Sequence, residues 1–338
     1  MSMTPVPAQP GAADASATVG HTPGESGPAN LSGRRRRHSH SSTPRGEHEM
    51  RTRRRAWSYL VMTGLAVFFL FPLVFMFVSS LKPDSQILGD VDSVRAFLPV
   101  GDISLQNYVD VFDRVPVARF LVNSVLVTVL TVVLGLFVNS MCGFALSRLE
   151  WRGRGLVLSV VIATLIVPFE TIAVPMVYWV SKLPTFVWEG GMLKYDFGWL
   201  NSYHVQIIPF VANAFSIFLF TQYFQTIPKS FDEAARIDGA SWFTIYRKII
   251  LPLSGPAFAT VAILTFLPAW NQYLWPLMVV QKEELRPVMV GMQYFFQLNT
   301  AWGEVMAYTS MITIPVLVVF LSFQRAFVQS VAASGVKG

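Results

Sequence analysis

The chain has 338 residues, 53% hydrophobic and only 14% charged, with mean hydropathy +0.47. A soluble domain carries about 25% charged residues, so a water-soluble enzyme is excluded at the outset. The net charge of +6 looks suited to an acidic partner until it is sorted by position. Residues 1–56 hold nine arginines against Asp14, Glu25, Glu47 and Glu49. The tail therefore carries most of the charge, and the apolar remainder is nearly neutral. The single cysteine, Cys142, rules out a disulfide framework and a Cys-based metal site. It reads as a small packing residue. Four of the five histidines fall in the tail and leave only His204 beyond it. No metal site and no His-centred catalysis are expected.

Residues 1–50 are rich in Pro, Gly, Ala, Ser and Arg. Such a segment buries too little apolar surface to offset its ordering entropy, and it is expected to be disordered. It lacks the layout of a cleavable signal. Arg34–Arg37 and the arginines before residue 56 fit anionic lipid headgroups better than nucleic acid. The His38-Ser39-His40 triplet is at most a weak metal ligand.

Beyond a tail ending at residue 56 come six long apolar stretches, at about 57–80, 120–147, 155–181, 205–228, 253–281 and 305–324. Each meets the roughly 20 residues that a helix needs to cross a bilayer core. The expected fold class is therefore an all-α polytopic membrane protein with six transmembrane helices. Glu170 is the one Asp, Glu, Lys or Arg within the stretches. Prolines 72, 168, 175, 209, 256, 268, 276 and 315 lie inside them, which membrane helices tolerate where neighbours satisfy the freed carbonyls. With the N-terminus inside, the segments 148–154, 229–252 and 325–338 carry nine Lys/Arg. The longer segments 81–119, 182–204 and 282–304 carry eight, so the density inside is about twice that outside. Arg51 and Arg53–Arg55, directly before the first stretch, agree. Both termini are expected in the cytoplasm.

The loop at 229–252 is the most informative segment. It reads Lys229-Ser230-Phe231-Asp232-Glu233-Ala234-Ala235-Arg236-Ile237-Asp238-Gly239-Ala240-Ser241-Trp242 and runs on to Ile250-Leu251-Pro252. Ser230 and Glu233 have capping-box spacing, and Asp232 and Glu233 suit a helix N-terminus. Gly239 suits a left-handed helix end. Ser241 can cap a second helix, with Trp242, Phe243, Ile245, Tyr246 and Ile249 as its apolar face. An interfacial connector explains the aromatic residues, but not the small residues and acids that share the prominent turn.

The pattern EAA-x-x-DGA followed by I-x-LP resembles the signature loop of binding-protein-dependent ABC importer permeases. Other stretches are similar to the carbohydrate (maltose-type) branch of that family. These are Ser80-Leu81-Lys82-Pro83, Asn107-Tyr108, Asn123-Ser124, Phe144–Leu149, Gly198–Tyr203, Trp270-Asn271-Gln272-Tyr273-Leu274-Trp275-Pro276-Leu277 and the final Gly335–Gly338. The resemblance covers most of residues 57–338 and implies the type I importer fold, as the second, six-span permease subunit. Two departures stand out: the long tail, and an apparent insertion over Thr185–Asp196, expected on the outer face.

The resemblance implies a coupling helix seated on an ATPase subunit. Glu233, Ala234, Ala235, Asp238, Gly239, Ala240 and Lys337 are its coupling residues. Glu233 is placed for an ion pair with the ATPase or for capping alone, and Lys337 for the ATPase or for the inside charge rule. The implied partners are a second permease subunit, two ATPase subunits, an extracytoplasmic sugar-binding protein and membrane lipid. No G-x-x-x-x-G-K-[ST] loop is present, so no cofactor is expected on this chain, and ATP with Mg belongs to the separate ATPase. Trp270, Asn271, Tyr273 and Glu170 are candidates for the substrate path. Trp275 reads better as packing, and Glu170 as either a gate hydrogen bond or a structural acid. The alternatives are an ion-gradient-driven secondary transporter, a membrane sensor, and an ABC permease for a non-sugar solute.

Overall fold

A computed structural model describes the backbone of residues 45–189, 192–296 and 300–335. The chain divides into two units, residues 1–61 and 62–338. The described part of the first is the opening of helix α1 (Arg45–Ser79). Helix thus begins eleven residues before the expected end of the tail at residue 56. Arg, Glu and Met are good helix formers, and extending a helix that an apolar run has already nucleated is easy. Residues 1–44, with Arg34–Arg37 and His38–His40, lie outside the described residues.

The chain continues with α2 (Asp84–Gly89), α3 (Gln106–Arg114), α4 (Val117–Ser147), α5 (Arg154–Thr164) and α6 (Phe169–Val180). A hairpin follows, with strands β1 (Pro184–Glu189) and β2 (Met192–Phe197). Next come α7 (Tyr203–Val211), α8 (Ala214–Thr226), α9 (Ser230–Ile237), α10 (Trp242–Ile245), a π turn at Tyr246–Ile250 and α11 (Leu251–Leu253). The last elements are α12 (Gly255–Trp270), α13 (Leu274–Val279), α14 (Val288–Gly291) and α15 (Trp302–Gly335).

Three helices are long and apolar enough to cross a membrane unbroken: Arg55–Ser79, Val117–Ser147 and Trp302–Gln324. The other expected spans are not straight. The α5–α6 pair bends by 101°, α7–α8 by 40°, and the segment Trp242–Leu253 meets α12 at 81°. Pro168 explains the sharpest bend, because it has no N–H and disfavours helix at the preceding Val167. A further break at Asn271–Tyr273 divides the expected 253–281 span into α12 and α13.

The expectation of an all-helical chain also needs correction. The Thr185–Asp196 insertion is an antiparallel hairpin, in register from Pro184 opposite Phe197 to Glu189 opposite Met192. Its runs carry Thr, Val, Tyr and Phe, which suit strands, and the sequence between them is Gly190-Gly191, a hairpin signal.

α4 is the axis of the larger unit and packs against α7, α8, α12 and α14. Gly143 sets the α4–α8 crossing, because a Cβ there would lie 2.6 Å from the Phe220 Cβ. Three apolar clusters form around this axis. Val117, Phe120, Trp270, Phe295 and Tyr308 form one, near the start of α4. Phe144, Phe220, Phe224, Ile245 and Ile250 form another, at its end. Val180, Val205, Trp275 and Val279 join α6, α7 and α13.

Side chains satisfy the backbone groups that the breaks set free. Asn139, fully buried in mid-α4, donates to the Val211 carbonyl (2.9 Å) and accepts from the Asn213 N–H (2.9 Å). It thereby bridges the α7–α8 break. Asn123 donates to the Glu284 and Arg286 carbonyls, both at 2.9 Å, and accepts from the Tyr203 hydroxyl. Ser124 accepts from the Val288 N–H, and the Tyr308 hydroxyl donates to the Val288 carbonyl. Asn107 donates to the Ser80 and Lys82 carbonyls, and the Asp84 carboxylate accepts the first amides of α15, Trp302 and Gly303. Asn123-Ser124, Ser80–Pro83, Asn107-Tyr108 and Asn201–Tyr203 thus share one role: they fasten loops at the end where α4 begins.

Replacing Asn139 by Leu, similar in size, removes both partners of the α7–α8 break. A buried backbone group left unpaired costs about 1–3 kcal/mol. The expected result is a lower thermal unfolding midpoint of the purified protein, with Asn139→Asp closer to wild type. A midpoint unchanged in the Leu variant would contradict the bridging role.

Candidate functional site

The segment Lys229–Leu253 leaves α8 and returns to α12. Its first helix does not form the expected capping box. Lys229 is the N-cap residue, with φ −64° and ψ −21°, and no side chain caps the helix. Ile227 is extended (φ −76°, ψ 128°), and the Lys229 carbonyl accepts the Asp232 and Glu233 amides at 2.9 and 3.1 Å. Ser230 is therefore already inside the first turn, one residue too far on to cap it. Asp232 and Glu233 do occupy that turn, where negative charge suits the helix dipole.

The far end of α9 is a complete Schellman turn. The Gly239 amide donates to the Arg236 carbonyl (3.0 Å) and the Ala240 amide to the Ala235 carbonyl (2.9 Å), with Gly239 at φ +79°. Nothing lies within 4 Å of where a Gly239 Cβ would stand, so bare backbone faces outward. Ser241 caps α10 as expected, accepting the Thr244 amide.

The two faces of α9 differ in chemistry. Asp232 is buried and Ala235 half-buried, whereas Glu233, Ala234, Ile237, Asp238 and Gly239 are exposed. Ile237 is 87% exposed, an apolar knob beside free carboxylates. Glu233 makes no ion pair among the described residues. Ala240 is half-buried and, like Ala235, leans on the apolar cluster at the end of α4.

Two anchors hold this element down. Arg148, at the C-cap of α4, has a side chain only 2% exposed. Its guanidinium donates to the Asp232 carboxylate at 2.9 Å, and also to the Phe224 and Ile227 carbonyls at the end of α8. The sequence reading counts Arg148 as an inside surface charge; it is instead half of a buried ion pair. Removing one partner of such a pair costs about 3–5 kcal/mol, because the other is left buried and uncompensated. The second anchor is Tyr246, whose hydroxyl shares a 2.7 Å hydrogen bond with Ser140. Ile245 and Ile250 are buried beside it. Trp242 and Phe243 stay partly exposed, so the expected apolar face of the second helix is only partly buried. Arg236 covers Trp242 at 5.2 Å and donates to the Ala240 carbonyl.

Six of the seven residues named for coupling therefore lie on one short helix and its turn, and Lys337 lies outside the described residues. The Arg148–Asp232 ion pair, the exposed Ile237 and the Ser140–Tyr246 bond are not legible in the sequence. An arginine directly after an apolar run reads the same whether its head group turns to water or inward.

The residues named for the substrate path differ in burial and in partners. Trp270 is buried and donates its indole N–H to the Ile312 carbonyl. Trp275 is fully buried, donates to the Val205 carbonyl at 2.8 Å and meets Phe169 and Phe210 edge-on. This agrees with its reading as packing. Asn271 and Tyr273 are exposed at the α12–α13 break, and Asn271 donates to the Leu267 carbonyl. Glu170 is exposed in the first turn of α6, next to the Phe169 that touches Trp275. Among the described residues no group of three or more His, Cys, Asp or Glu side chains is placed to hold a metal.

Residues 131–333 match the family described as binding-protein-dependent transport system inner membrane component. The arabinooligosaccharides transport system permease protein AraQ of Halalkalibacterium halodurans is 30% identical over 289 residues, covering 83% of this chain and 97% of that protein. The trehalose/maltose transport system permease protein MalG of Thermococcus litoralis is 32% identical over 283 residues, covering 81% and 94%. A chain from the crystal structure of a bacterial ABC transporter that imports the acidic polysaccharide alginate superposes with a TM-score of 0.67 at 26% identity, covering 81% and 96%.

Gly239→Ala forces an L-residue into the left-handed region, at about 1–2 kcal/mol. The expected result is amide exchange at residues 239 and 240 faster by about tenfold, read by hydrogen–deuterium exchange. Equal exchange would show that the turn does not depend on glycine.

Proposed function

The chain belongs to the family of binding-protein-dependent transport system inner membrane components, multi-pass proteins of the cell membrane, and on that premise we propose that it is the permease subunit through which an ATP-driven importer moves a sugar into the cytoplasm. The saccharides named for its relatives support that substrate class. The observation that carries the rest is the outward face of α9. A free carboxylate, small side chains, bare backbone at Gly239 and the knob of Ile237 stand on an element anchored to two spans.

In this reading α5–α6 and α7–α8 are each one crossing, and α12 with α13 another, giving six spans with both termini in the cytoplasm. The face of α9 then lies in the cytoplasm, within reach of an ATPase. The complex comprises this chain, a second permease subunit, two ATPase subunits that hold ATP and Mg, and an extracytoplasmic sugar-binding protein. The nucleotide chemistry is theirs. This chain's part is mechanical: closure of the ATPase pair displaces α9 and biases the spans between two arrangements. Glu233 pairs with a cation of the ATPase, and Ala234 and Gly239 permit close approach. Ala235, Asp238 and Ala240 shape the turn, and Lys337 extends the contact. A gradient-driven transporter is disfavoured, because it calls for several intramembrane ionisable groups, and the apolar stretches hold only Glu170.

Sugar hydroxyls suit amide, phenol and carboxylate groups, and Asn271, Tyr273 and Glu170 offer them at helix breaks. Trp270, directly before Asn271, is buried and secures the end of α12 through the Ile312 carbonyl. An exposed acid in an apolar stretch is expensive, so Glu170 meets a donor from the second permease subunit or from solute.

The test is reconstitution of the co-purified complex in vesicles with its binding protein. Loaded binding protein is expected to stimulate ATP hydrolysis and sugar uptake, and a preparation holding no ATPase subunit would overturn the reading. Glu233→Ala is expected to weaken stimulation, and Gly239→Trp to weaken it further by holding the surfaces apart. Stimulation at the wild-type level in both would remove α9 as the docking face. Glu170→Gln is expected to retain uptake and Glu170→Leu to reduce it; equal uptake by the two would show that no hydrogen bond is made there.

A further inference from the structure

The Arg148 guanidinium joins three elements: the end of α4, the last carbonyls of α8 and the first turn of α9. α8 and α9 are close in sequence, separated only by Ile227–Lys229. α4 is not, since Arg148 and Asp232 are 84 residues apart. The ion pair is short, and both side chains are nine-tenths or more buried, so water does not loosen it. The remaining polar atoms, Arg148 Nε and Asp232 Oδ1, have no other partner. That leaves the carboxylate committed to this one guanidinium.

α4 runs on from Arg148 for 31 residues, about 46 Å at the rise of an α-helix. Along its length it makes three further polar grips, one of them the Ser140 bond to Tyr246. Asn139 holds the α7–α8 break, and Asn123 and Ser124 hold the loop at 284–288. One unbroken helix thus carries a buried charge pair at the coupling element and fixed hydrogen bonds at the opposite end. Apolar packing lets side chains slide past one another, whereas a buried ion pair backed by two carbonyl bonds fixes both distance and direction.

We propose that Arg148 is a positioning residue for energy coupling. Through Asp232 it ties α9 to α4 and α8, so that displacement of α9 moves both spans together and reaches the loop at 284–288 along α4. The proposal rests on the importer reading above. It differs from docking, because Arg148 and Asp232 face inward and touch no docking surface.

The test uses the complete complex in proteoliposomes with loaded binding protein, and reads sugar transported per ATP hydrolysed and the ratio of stimulated to basal ATP hydrolysis. Arg148→Gln and Asp232→Asn are each expected to retain the ATPase subunits on purification while both ratios fall by about tenfold, within the usual range of coupling factors. The double variant is expected to be no worse than either single one, because both remove the same tie. Wild-type ratios in the singles, or losses that multiply in the double, would overturn the proposal. Should the neutral variants fail to assemble, Arg148→Lys decides. Lysine keeps the charge opposite Asp232 but cannot also hold both α8 carbonyls, so an assembled, partly uncoupled complex is expected. A fully coupled Lys variant overturns the three-way tie. If the wild-type chain purifies with no ATPase, the importer reading falls and the proposal with it. If the wild type couples and the variants couple equally well, the proposal alone falls.

Discussion

Every interruption of a helix in apolar surroundings frees backbone groups that water cannot reach, and the fold depends on the side chains that take them up. Three of the six apolar stretches are interrupted by such breaks. Asn139 serves the α7–α8 break, Trp275 donates to the Val205 carbonyl, and Tyr308 donates to the Val288 carbonyl. Arg148 serves the end of α8. Because an unpaired group inside a membrane costs several kcal/mol, these few polar residues decide where the chain can bend.

The two ends of α4 use this constraint differently. At the Val117 end, Asn123 and Ser124 hold irregular backbone in place, and nearby Asn107 and Asp84 do the same for loops beside them. The result is a stitched cap. At the Ser147 end one ion pair and one hydroxyl pair secure a short element whose other face stays open. That element therefore combines firm attachment behind with an exposed surface in front.

Much of this was legible in the sequence. The turn after α9 is written in residues whose roles are local. Gly239 must be left-handed, Ser241 must cap, and Asp232 and Glu233 belong in a first turn. Other features were misread because their outcome depends on distant neighbours. Ser230 has the spacing of a capping residue, yet the path of the chain out of α8 starts the helix at Lys229. The 155–181 stretch has the composition of a straight span, yet Pro168 divides it. The Thr185–Asp196 insertion falls in a chain expected to be all-helical, and it is a hairpin because its two runs pair across the sheet.

The sequence by itself determined the class of protein, its apolar stretches and the local turn chemistry of the loop at 229–252, since apolar length and turn chemistry act over neighbouring residues. Only the tertiary structure decided which way Arg148 turns, which face of α9 is buried, and that Asn123, Asn139 and Arg148 act from one helix. Those outcomes rest on partners 72 to 163 residues away. Desolvation gives such partners their weight, and burial is a property of the folded chain alone.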